Sequence, residues 1–235
     1  MKRNFIVMVC AMLMLLSANA SAKTLVVYYS YTNNCREIVT TLTSQIEADV
    51  LEIQPAEKGL KYEANNYALG TQLLNAIKAA PNDASSYPAI DPVTTSLSDY
   101  GTIIIVTPLW WSQMAAPMQT YLFNYGGQMA GKNVGLIVSS ASSGISSVVA
   151  DCKRLVPDGN YFSENLWINH SSHSNRASLI QNWLTTVNYN TVTGISKIQT
   201  AQNTPIRIYD LNGQLLNQKP SKGIYIVNGK KRIAE

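Results

Sequence analysis

At 235 residues, 46% apolar and 14% charged, the chain is long enough for one large domain with a small appendage and too apolar to be disordered. Its formal charge of +4 resides at the ends: Lys2 and Arg3 lie in the first 22 residues with no acid, residues 23–190 carry nine basic and twelve acidic residues, and residues 191–235 carry seven and two. A body of net negative charge excludes a nucleic-acid footprint built on whole-chain charge.

Residues 1–22 have the three parts of a secretory signal: a short basic start, an apolar run from Phe5 to Leu16, and the small-residue site Ala20-Ser21-Ala22. Twelve apolar residues are too few for a stable transmembrane anchor. The mature chain is expected to begin at Lys23, exported to the periplasm or envelope of a Gram-negative bacterium, or secreted, with no membrane anchor left. Cleavage leaves Cys35 and Cys152, both expected as free thiols, Cys35 in a loop and Cys152 on the apolar face of a helix.

In the mature chain, Thr24–Tyr29 is a continuous apolar run, the pattern of a strand buried on both faces. Ile38, Val39, Leu42 and Ile46 then share a helical face, and Val50–Ile53 is a second strand. A helix carrying Leu73, Leu74 and Ile77 ends before Pro81, and residues 81–98 are loop. Thr102–Thr107 is a third strand, and Pro117 opens a helix with Met118, Leu122 and Tyr125. Val134–Ser139 is a fourth strand, followed by a helical face of Ile145, Val148, Val149, Cys152 and Leu155. Leu166–Ile168 belongs to a fifth strand, and Ser174 is placed to cap a last helix with Leu179, Ile180, Trp183 and Leu184 inward. Asp151 and Asp158 are expected at a solvated helix surface and a turn.

Five strands alternating with helices predict an α/β fold with a doubly wound parallel sheet in the order 2-1-3-4-5, occupying residues 23–190. Residues 191–235 read as a separate small β module, with Asn228-Gly229 as a hairpin turn and too little core to stand far from a partner. In the 2-1-3-4-5 order a ligand crevice lies beyond the carboxyl ends of strands 1 and 3.

Three loops reach that edge. Ser30-Tyr31-Thr32-Asn33-Asn34-Cys35 connects a strand to a helix N-terminus, where hydroxyls and backbone amides can encircle a phosphate without a lysine or arginine. Asn33 suits a left-handed backbone. Pro108-Leu109-Trp110-Trp111 brings two indoles just past a strand end, one expected to cap the core and the other to offer a face for stacking. Ser139-Ser140-Ala141-Ser142-Ser143-Gly144 leaves room and offers amides to the polar edge of a ring. A phosphate cradle, an aromatic wall and a small polar loop are what flavin mononucleotide (FMN) requires. There is no G-x-x-x-x-G-K-[ST] loop, no G-x-S-x-G elbow, and no third ligand for His170 and His173; no side chain need serve as acid, base, nucleophile or metal ligand.

On these motifs, residues 24–188 resemble flavodoxin, and more closely the flavodoxin-like branch with a Pro-x-Trp-Trp loop. Ser30, Thr32 and Asn34 match a first loop of the form [ST]-x-T-G-N-T, with Asn33 in place of its glycine and Cys35 in place of its last threonine. Pro108–Trp111 with Ala116–Leu122, and Ser139–Gly144, fit its other two motifs. A thiol donates more weakly than a hydroxyl, which lowers affinity by about 1 kcal/mol. The tail, with Tyr209–Gly213 and Gly223–Lys230, resembles C-terminal modules of secreted Bacteroidetes proteins, some of which address a protein to an outer-membrane secretion route and are then removed.

The resemblance implies an exported FMN-binding protein that transfers electrons or reduces a small acceptor, with a redox partner protein or small-molecule acceptor and no nucleic acid. Asn33 and Cys35 keep open an alternative, a cofactor-free flavodoxin-fold binding module of the envelope.

Overall fold

The computed structural model describes residues 23–193 and, further on, residues 208–209, 214–216, 218, 220, 222–227 and 230–234. The expected signal peptide and the Asn228-Gly229 turn lie outside the described residues. The chain divides into two compact units, one ending at Ser196 and the other beginning at Lys197.

In the first unit the elements run β1 (Lys23–Tyr28), α1 (Asn34–Thr43), β2 (Asp49–Glu52), α2 (Ala64–Ala79), β3 (Tyr100–Trp110), β4 (Gln113–Met114), α3 (Ala116–Tyr125), β5 (Asn133–Ser140), α4 (Ser146–Leu155), β6 (Asn160–Tyr161), β7 (Leu166–Asn169), α5 (Arg176–Thr186) and α6 (Tyr189–Val192). The sheet order is β2-β1-β3-β5, with β6 and β7 both parallel to β5 and together filling the fifth position. This is the expected 2-1-3-4-5 order. All main pairings are parallel, so the helices must cross over the faces.

The apolar runs are continuous because both faces of the sheet are covered. Leu25, Val27, Ile103, Ile105, Leu136 and Val138 face one layer, which includes Leu74, Met118, Val148 and Cys152. Val26, Tyr28, Ile104, Val106 and Ile137 face the other, with Ile38, Leu42, Ile180 and Trp183. Pro117 lies in the first turn of α3 as expected, where its missing N–H costs nothing. Cys35 and Cys152 are free thiols. Among the described residues, no helix is long and apolar enough to cross a membrane.

Three details differ from expectation. Ser174 does not cap the last helix: a 3-10 turn, His170–Asn175, precedes it, closed by a capping box between Asn169 and Ser172. The sheet domain also extends past residue 190, since α6 crosses that point and the buried Tyr189 hydroxyl lies 2.8 Å from Thr24 Oγ1. Finally, Cys35 is part of helix α1, packed in the cluster with Val26, Tyr28 and Ile38.

The second unit is an antiparallel sheet in the order β11-β10-β8-β9, formed by β8 (Ile208–Tyr209), β9 (Leu215–Leu216), β10 (Gly223–Val227) and β11 (Lys230–Ala234).

Candidate functional site

A cleft of about 640 Å³ opens at the carboxyl edge of the parallel sheet, within the range of roughly 300–1,000 Å³ typical of cofactor and small-molecule sites. Its walls come from the loops after β1, β2, β3, β5 and β7, because parallel connectivity delivers every strand-to-helix loop to the same edge.

The first wall is the loop after β1, with Ser30, Tyr31, Thr32, Asn34 and Cys35 lining the cleft. Asn33 has φ 65° and stands just before α1, in the left-handed conformation expected of it. Its side chain makes no capping hydrogen bond, so the amides of Asn34 and Cys35 are left for a ligand. The Arg36 N–H reaches Ser30 Oγ at 3.3 Å. Arg36 itself is paired with Glu52, and among the described residues neither lysine nor arginine lines the cleft. An anion held here would rest on amides, hydroxyls and the helix dipole.

Cys35 lines the cleft yet is 1% exposed, and burial pushes its thiol well above the usual range. It is a neutral packing group at the place where a hydroxyl was the alternative.

The second wall is not the loop that the Pro-Leu-Trp-Trp motif suggested. Strand β3 continues through Pro108 and Leu109 to Trp110, which pairs with Gln113 of β4. Trp111 and Ser112 form the two-residue turn, at φ 48° and 65°. Positive φ at both central positions marks the type I′ hairpin turn, which favours Asn-Gly and is strained for Trp-Ser. The strain is held by the Met114 backbone: its N–H donates to Asp151 Oδ2 at 3.0 Å, and its carbonyl accepts from Gln119 Nε2 at 2.8 Å. Arg154 joins the two, donating to Gln119 Oε1 at 3.0 Å and lying 3.6 Å from Asp151. Asp151 is thus a tie between α4 and β4 rather than a solvated surface group.

The two indoles have different surroundings. Trp110 is half-buried in an aromatic cluster, with Tyr62 tilted against it at 4.6 Å and Tyr29 and Tyr31 edge-on at 5.6 and 6.4 Å. Trp111 is 44% exposed and meets Tyr67 edge-on at 5.8 Å.

The third wall is Ser139, Ser140 and Ala141. Ser140 Oγ accepts from Trp167 Nε1 at 2.8 Å and donates to the Ser143 carbonyl at 2.9 Å. Of the expected residues, Asn33, Ser142, Ser143 and Gly144 do not line the cleft. Asn33 shapes the helix start, and the other three sit on an exposed turn folded back on Ser140.

Four lining residues were not foreseen: Tyr62, Glu63, Tyr67 and His170. Tyr62, Glu63 and Tyr67 come from the segment entering α2, where Asn65, Asn66 and Tyr67 all have positive φ. Asn tolerates this conformation, whereas for Tyr67 it costs about 1–2 kcal/mol. Tyr31 Oη donates to Glu63, holding that carboxyl below its ordinary value and raising the Tyr31 hydroxyl above its own. The sequence signal was two tyrosines and two acids in residues 57–67, which has no fixed spacing. His170 follows β7 and is positioned by its N–H to the Ala141 carbonyl at 3.1 Å. Its neighbour His173 turns away to Glu37, at 3.0 Å, whose carboxyl is lowered by that contact.

A family model described as flavodoxin matches residues 23–187. The fold is similar to that of a candidate flavoprotein from Bacteroides uniformis ATCC 8492, 25% identical with a TM-score of 0.55, over 68% of this chain and 98% of that one. A candidate flavoprotein from Bacteroides eggerthii DSM 20697 is 24% identical with a TM-score of 0.57, over 71% and 98%. A flavoprotein from Lactobacillus acidophilus NCFM, solved in complex with FMN, is 20% identical with a TM-score of 0.52, over 66% and 99%. With the match spanning the whole parallel-sheet domain and the cleft at its carboxyl edge, this chain belongs to the flavodoxin family.

Proposed function

We propose that this protein binds FMN in the cleft and acts as an exported electron-transfer flavoprotein. The observation that carries the reading is the N-terminus of α1, left uncapped by the Asn33 side chain, opening into the same cleft as the exposed Trp111 indole and the Ser139–Ala141 edge. The residues fit the group: Ser30, Thr32 and the amides of Tyr31–Cys35 would hold the phosphate, Trp111 would lie along the ring, and Ser139–Ala141 would meet its polar edge. The cofactor, when bound, supplies the redox chemistry. The chain's own part is to hold it, to exclude water with Tyr62, Trp110 and Trp111, and to disfavour added charge on a ring beside an apolar wall. Electrons would come from a partner protein or diffusible donor and pass to a partner or a small acceptor. The test is an absorbance spectrum of the purified protein and titration of flavin-free protein with FMN.

A second reading, a binding module without cofactor, is favoured by Glu63 and Cys35. An ionised carboxylate lines a cleft that, among the described residues, no lysine or arginine lines, and a buried thiol stands where a hydroxyl would reach a phosphate. A flavin-free spectrum and no FMN binding would establish it. Export rests on the signal-like pattern of residues 1–22. N-terminal sequencing of protein recovered from the envelope should begin at Lys23, and an intact Met1 would refute it.

A further inference from the structure

We infer that Gly70 is a positioning residue: it is the seat of the Trp111 indole and thereby sets how far the aromatic wall stands back from the phosphate loop. Gly70 is buried in the first turn of the right-handed part of α2, just after the left-handed Asn65–Tyr67, and its own φ is not positive, so its backbone makes no demand for glycine. Glycine at such a position is less favourable than alanine, so its presence needs a spatial reason. The reason is contact: a Cβ at residue 70 would stand 2.3 Å from Cη2 and 2.6 Å from Cζ3 of Trp111. The indole thus occupies the volume of the missing side chain.

Two aromatic neighbours and a strained backbone limit how the ring gives way, while its remaining face is open, with Trp111 44% exposed. Trp111 is a strained turn residue at φ 48° between two paired strands. Trp110 meets it edge-on at 6.2 Å, and Tyr67, itself at φ 62°, meets it edge-on at 5.8 Å. Strained residues persist where their surroundings over-determine them. Here two left-handed aromatic residues hold one another, and Gly70 provides the floor. A methyl group at residue 70 must shift the indole, so Gly70 fixes where the Trp111 face stands in the wall of the cleft. The ligand arm of this inference rests on the FMN reading; the packing arm does not.

The experiment compares the parent, Gly70→Ala, Trp111→Ala and the double variant, in the full mature chain. Thermal melting, acrylamide quenching of tryptophan fluorescence, and titration with FMN and riboflavin are measured for each. Gly70→Ala should lower Tm, change the quenching attributable to Trp111, and weaken FMN and riboflavin equally, by about 10-fold, because the ring and not the phosphate is displaced. In the Trp111→Ala background the same substitution should raise Tm by about 2–4 °C, as an ordinary helical glycine-to-alanine change does. If Gly70→Ala fails to fold, recovery of folding in the double variant supports the seat, and failure of both overturns it. The inference is also overturned if Gly70→Ala raises Tm equally in both backgrounds and leaves quenching and affinities unchanged. A parent that binds neither flavin removes the FMN reading, while Tm and quenching still decide the seat.

Discussion

Asp151 Oδ2 accepts the backbone N–H of Met114 at 3.0 Å, and this bond between α4 and β4 secures the hairpin that carries both indoles. Asp151 is only 17% exposed in its side chain and is further held by Arg154. Asp151→Ala should therefore destabilise the protein by about 1.5–3 kcal/mol, the range for a hydrogen bond to a charged acceptor. Urea unfolding measures it. Asp151→Asn, which keeps an acceptor, should lose less, and equal losses would show that the tie is not the hydrogen bond.

Thr32 separates the phosphate from the ring. It is exposed and lines the cleft beside the N-terminus of α1. Thr32→Ala should weaken FMN by roughly 1–3 kcal/mol and leave riboflavin nearly unchanged, because only FMN carries the phosphate. Calorimetric titration with both ligands is the check. Equal losses would place the phosphate elsewhere.

The Tyr31–Glu63 hydrogen bond imposes a pH dependence whose sign follows from the lowered carboxyl. A depressed native pKa contributes stability above the ordinary value of 4.5 and loses it as pH falls through the native value. Below pH 4.5, protonation of Glu63 should loosen the Tyr31–Tyr62–Trp110 cluster. Near-ultraviolet circular dichroism of the parent minus that of Glu63→Gln should change in that window. A flat difference would mean that Glu63 does not hold the loop.

The domain end is set by Tyr189, buried against Thr24. A chain from Lys23 to Ser196 should melt cooperatively and bind what the mature chain binds. One ending at Asn188 should lose about 3 kcal/mol or more, as deletion of a buried aromatic does. An insoluble 23–196 chain would show that the second unit is needed for folding.

The parallel sheet was legible in the sequence because strands buried on both faces must be continuously apolar, as Leu25–Tyr29 and Ile103–Val106 are, and because the intervening helices announce crossovers. That topology brings the ends of β1, β3 and β5 to one edge, where Ser30–Cys35, Pro108–Trp111 and Ser139–Gly144 were expected; Asn33, Ser142, Ser143 and Gly144 stand outside the lining of the cleft. Even the left-handed backbone of Asn33 followed from its side chain. Side-chain direction did not follow, since it depends on where helices and hairpins begin. One turn of α1 decides that the Cys35 thiol packs inward, and the two-residue turn of the β3–β4 hairpin turns Trp111 towards Gly70 while Trp110 joins the tyrosines. Tyr62, Glu63, Tyr67 and His170 enter from loops with no recognisable spacing, and Asp151 finds its partner 37 residues away. Contacts between residues so distant in sequence exist only once the sheet has brought its loops together.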